Sequence, residues 1–187
     1  MRITIWRKAV SALKALFGQS GDFISIVLLL REPRQFDEAD LRDAAERAWE
    51  VRLETGNDAK NFLVIEKQIR FIKVQGHFFN VLNAAKPYIE RAAEAASAVR
   101  NDLVKSAVLV HRAWLSVDYM SPLNPKLTID ERYAAAGKLI AEFVDQNCLA
   151  ICIPDKNVIV PATPFAVKIL RNMTSPKDLL KAIHENR

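Results

Sequence analysis

Residues 23–30 form an apolar, β-branched run, interrupted only by Ser25 and closed by Arg31-Glu32-Pro33, the pattern of a strand buried on both faces. The period then changes. Leu41, Ala44, Ala45, Ala48 and Trp49 share one helical stripe behind Asp37 as N-cap, with Asp40 three residues on. Thr55-Gly56-Asn57-Asp58 predicts a loop. Phe62 to Ile65 and Ile69 to Val74 predict two strands about a turn near Glu66 to Gln68, ended by Gly76. A short helix is expected near Phe78 to Ala85. A longer Ala-rich helix should run from Pro87, in its first turn, to about Leu103.

The order then restarts. Ala107 to Tyr119 predicts a long strand, with Leu115, Val117 and Tyr119 on one face and Trp114, Ser116 and Asp118 on the other. Residues 121–125 are a proline-rich loop. Thr128 and Glu131 form a capping box, and the following helix turns Ala135, Ala136, Leu139, Ile140, Phe143 and Val144 inward. Cys148 to Ile153 and Val158 to Val160 predict a hairpin. A short helix near Phe165 to Met173 and a last one from Pro176 complete the series. Laid together, the halves predict an α+β fold of two β-α-β-β-α-α repeats of roughly 82 residues. Repeat 23–105 and repeat 106–187 would make one domain, a pseudo-twofold mixed sheet with helices packed on it.

Charge adds one feature to this pattern. The chain carries a net +5, and residues 1–22 hold +3 of it, while the repeats are nearly balanced. That extension is amphipathic, with Trp6, Val10, Leu13 and Phe17 at helical spacing and Arg7, Lys8 and Lys14 largely away from them. It is a candidate docking helix for the protein's own sheet, a protein partner or an anionic membrane surface. The dispersed charge of the rest argues against a nucleic-acid groove. No apolar run reaches the roughly 18 residues of a membrane span, so no transmembrane segment is expected. Cys148 and Cys152 sit four apart on one expected strand face, about 13 Å from each other. They are expected to be free and packed, as in a reduced, cytoplasmic protein.

Candidate chemistry is sparse. There is no glycine-rich phosphate loop and no Gly-x-Ser-x-Gly elbow. Of His77, His111 and His184, none has a second ligand at metal spacing, so neither metal nor cofactor is expected. Strand alternation puts His111 opposite Ser116 and Asp118, which keeps these three from forming a triad. Trp49, Trp114 and Tyr133, with His111 and Asp118, remain as candidates for a ligand groove, against core packing as the competing reading of the aromatics. The leading expectation is a non-catalytic binding or protein-interaction module. The alternative is a small-molecule sensor using the groove between the repeats, and a third is a hydrolase or transferase.

The segment from Ala95 to Asp118 also carries a resemblance. An Ala-rich helix leads into Lys105-Ser-Ala-Val-Leu-Val-His111-Arg-Ala-Trp-Leu-Ser-Val117, followed by a capped helix and a hairpin. Over residues 23–173 this resembles an uncharacterised bacterial family of domains of unknown function, which implies a fold and no chemistry. The paired strand-helix-strand-strand architecture is also similar to the gyrase-inhibitor-like ligand-binding domains. That resemblance implies a groove between modules for small hydrophobic or cationic molecules.

Overall fold

The computed structural model describes residues 24–54, 60–66, 69–120 and 126–183. The extension with Trp6, Arg7, Lys8, Lys14 and Phe17 lies outside them, as do His184 and the loop 121–125. Seven strands form one open antiparallel sheet in the order β2-β3-β4-β5-β1-β6-β7. They are β1 (Ile24–Leu30), β2 (Phe62–Glu66), β3 (Ile69–Val74), β4 (His77–Ala84), β5 (Ala113–Tyr119), β6 (Cys148–Ile153) and β7 (Val158–Pro161). The expected mixed sheet is thus antiparallel in all its pairings.

All seven residues of β1 are buried, because helices cover both faces around it. On one face lie α1 (Glu38–Trp49), α4 (Ile129–Ile140), α5 (Pro164–Asn172) and a 3-10 segment, Pro176–Ile183. They pack on Ile24, Ile26, Leu28 and Leu30 of β1 and on Leu115 and Val117 of β5. On the other face α2 (Ala92–Ser97) and α3 (Asp102–Val110) cover Val27, Leu29, Ala150 and Cys152. Both main helices start as the sequence predicts. Asp37 and Asp40 form one capping box, Thr128 and Glu131 the other. Helix α1 stops at Glu50, which takes a left-handed φ of 54°.

Four expectations are corrected. The segment expected as a helix near Phe78 to Ala85 is β4. Gln75 and Gly76, both at positive φ, form a two-residue turn that folds β4 back on β3. Phe79 and Val81 then face the larger core, and alternation puts Phe78, Asn80 and Leu82 on the other side. The long helix from Pro87 to Leu103 is only the six residues of α2, interrupted before Asn101 starts a new helix. The long strand from Ala107 begins only at Ala113. Asn101 accepts from the Val104 amide, and Val104, Ala107 and Val108 are buried at helical spacing in α3. Finally, a register shift between Leu29 and Leu30 puts an extra residue in β6. Cys148 therefore joins one core and Cys152 the other, not one shared face.

The twofold arrangement of two repeats is not seen. In equivalent repeats β2 would border β5 as β6 borders β1. The third strand β4 stands there instead, and β2 is at the edge.

Candidate functional site

A groove of about 420 Å³ opens where the two halves of the chain meet above the larger core. Trp49, at the end of α1, and His77, at the start of β4, come from the first half. Glu131, Ala134, Ala135 and Lys138 form a stripe along α4, and Arg171 to Met173 end α5. Helical spacing sets that stripe, since positions 131, 134, 135 and 138 follow one another on a single face. Close approach of α5 makes the wall. Gly137 has no Cβ, and one would come within 2.9 Å of the Leu170 carbonyl.

The floor is aromatic. Trp49 lies tilted against Phe79, at 5.5 Å and 41°, and against His77, at 6.1 Å and 35°, and Tyr119 meets Phe79 edge-on at 5.4 Å. His77 Nδ1 lies 3.1 Å from the Tyr119 hydroxyl. Burial pushes the His77 pKa down, the Lys138 charge adds to this, and Glu131 opposes it. The imidazole is therefore neutral at neutral pH. The Lys138 ammonium stands 5.7 Å from the centre of the Trp49 ring and forms no ion pair among the described residues. Arg171 and Arg47 both reach Glu142, which ties α5 to α1 beside the groove. The Glu131 carboxylate is occupied at its own helix terminus, accepting from the Thr128 amide and hydroxyl.

Of the sequence-predicted residues, only Trp49 lines this groove. Tyr133 is fully buried, and its hydroxyl donates to Asp155. Trp114 is on the opposite face of the sheet, half-buried and edge-on to Tyr88 at 5.5 Å. His111 is buried just past α3. Its Nε2 accepts from the amides of Tyr88 and Ile89, and its Nδ1 donates to the Val108 carbonyl. Both ring nitrogens are thereby committed to fixing the chain that enters α2. Burial lowers its pKa, in line with the acceptor role of Nε2.

Asp118 lies on the second face in a polar seam of Ser25, Asn80 and Ser116. Ser25 donates to its Oδ1 at 2.6 Å. Burial pushes its pKa up to about 6, against the lowering by the Ser25 and Ser116 hydroxyls. Among the described residues, its Oδ2 and the Oδ1 of Asn80, its cross-strand neighbour, have no hydrogen-bond partner. Sequence reasoning missed His77 and Lys138. The β4 turn at Gln75-Gly76 was the signal for the first, and the i, i+7 spacing of Glu131 and Lys138 for the second.

Cys148 and Cys152 are free and buried. Burial pushes the Cys148 thiol up to about 12 and the Cys152 thiol higher still, so neither is a ready thiolate. Among the described residues no group of three or more His, Cys, Asp and Glu is placed to hold a metal ion. No described helix is long and apolar enough to cross a membrane. No family model, curated protein or solved structure matches this chain, so the resemblances drawn above rest on the sequence alone.

Proposed function

We propose that this protein is a non-catalytic binding module whose groove over Trp49 takes a small planar aromatic molecule bearing an anionic group. One observation carries the reading: the Lys138 ammonium, with no ion pair among the described residues, stands over an indole at the edge of a groove built from both halves of the chain. A flat apolar body would stack on Trp49 and the neutral His77. A carboxylate on it would gain Lys138 as a partner, and desolvation of that pair is limited because the groove is open to water. Its volume falls in the lower part of the range of small-molecule sites, about 300–1,000 Å³.

The test uses naphthalene carboxylate as the probe, titrated into the full chain and followed by amide and indole NMR shifts. Saturable shifts at Trp49 and along α4 are expected. Lys138→Gln should weaken binding about tenfold, the loss of one exposed charge-assisted contact. Trp114→Phe, altered on the opposite face, should bind as the wild type does. Equal binding by wild type, Lys138→Gln and Trp49→Leu would place the probe elsewhere and refute the proposal, as would no binding at millimolar probe.

A further inference from the structure

The two edges of the sheet differ. β7 is four residues long, ends in Pro161, which has no amide hydrogen, and is packed by the 3-10 segment Pro176–Ile183. β2 meets α1 on one face, but no described strand pairs with its outer edge. Val64 is 45% and Ile65 39% exposed, and they point to opposite faces. Residues 62–65 carry no charge to repel another strand.

The backbone of this edge is symmetric. The Asn61 carbonyl turns away from β3 to accept from the Glu54 amide at 2.9 Å, while Gln75 N–H donates to the Asn61 side chain instead. Alternation along the strand then aims the amides and carbonyls of Phe62 and Val64 at β3, and those of Leu63 and Ile65 outward. Leu63 and Ile65 flank Val64 on either side.

We propose that β2 pairs antiparallel with β2 of a second copy, about a twofold axis at Val64, joining two seven-stranded sheets into one. Leu63 of each copy exchanges two N–H···O=C bonds with Ile65 of the other, which uses the four outward groups of each strand. The side chains agree with this register. Leu63 meets Ile65 on one face of the sheet, and Val64 meets Val64 on the other. A foreign strand could form the backbone bonds, but the order Leu63-Val64-Ile65 is self-complementary about Val64, so a second copy supplies the apolar match on both sides of the axis.

The test is Val64→Cys in the full chain, oxidised in solution. In this register the two Val64 residues form a non-hydrogen-bonded pair with Cα atoms about 4.5 Å apart, within disulfide range. A covalent dimer is expected on a non-reducing gel. The native thiols are buried in the two cores and give little background. Phe62→Cys is the register control, because its two copies would be about 13 Å apart, and it should cross-link far more slowly. In sedimentation at about 100 µM, where small interfaces associate, the wild type and Val64→Thr should be dimeric and Val64→Lys monomeric, all with the same circular dichroism. A monomeric wild type, a dimer that survives Val64→Lys, or equal cross-linking at positions 62 and 64 overturns the proposal.

Discussion

Asp118 shows how one carboxylate can set the pH response of the molecule. Its ordinary value of 3.8 rises to about 6 in the fold because burial outweighs its two serine hydroxyls. The folded state thus holds a proton that the unfolded chain releases between about pH 4 and pH 6. Stability from this group is full below pH 4 and is lost as pH rises to 6, a loss of roughly 3 kcal/mol at 1.36 kcal/mol per unit. Asp118→Asn mimics the protonated form: it still accepts from Ser25 and brings a donor toward the Asn80 oxygen, which has no partner among the described residues. The variant should match the wild type near pH 4 and exceed it at pH 7.5, in urea unfolding at the two values. Histidines 77 and 111 act with the opposite sign, since their lowered values cost stability as pH falls below 6.5. The informative quantity is therefore the difference between variant and wild type, and an unchanged difference across this range would remove Asp118 from the account.

At the scale of elements, the α4–α5 contact decides both packing and the groove wall. Gly137→Ala should gain helix propensity, about 1 kcal/mol. The added methyl would also strike the Met173 side chain and the Leu170 carbonyl, and a backbone oxygen cannot swing aside. The net expectation is a loss of about 1–3 kcal/mol, typical of overpacking. It should come with weaker probe binding, because α5 carries Arg171 and Met173 into the groove. A more stable variant with unchanged binding would show that α5 yields freely. Elements were legible in the sequence where pattern and punctuation agreed. β1, α1, α4 and the β6–β7 hairpin have clear periods and caps, and all appear near their expected bounds. The misassigned elements fall on residues 78–112, much of which is Ala and Val that fit either period. There the Gln75-Gly76 turn and the Asn101 cap decided the outcome. The site was less legible. Trp49 could be read as a floor residue, but its partners reach it only through tertiary contact, His77 from within the first half of the chain and Lys138 from the second.

At the scale of the molecule, protection should follow the layers. Val27 to Leu29 are fully buried in the centre of the sheet, so their amides should exchange only through global unfolding. Peptides covering β2 should exchange earlier in dilute protein, measured by hydrogen exchange and mass spectrometry. Equal protection of β1 and β2 would contradict the edge character of β2. The central place of β1 also has a consequence in time. Its neighbours are β5 and β6, with Leu28 opposite Leu115 on one side and Ile151 on the other. Those partners lie about 90 and 120 residues further along, which makes the central pairings non-local and slow to form. During synthesis at about 5–20 residues per second, β6 follows β1 by roughly 6–25 seconds. For that interval a strand with five consecutive apolar residues, Ile26 to Leu30, waits on the ribosome for its second neighbour. The segment best protected in the finished protein is therefore the one most in need of a chaperone while the chain is being made.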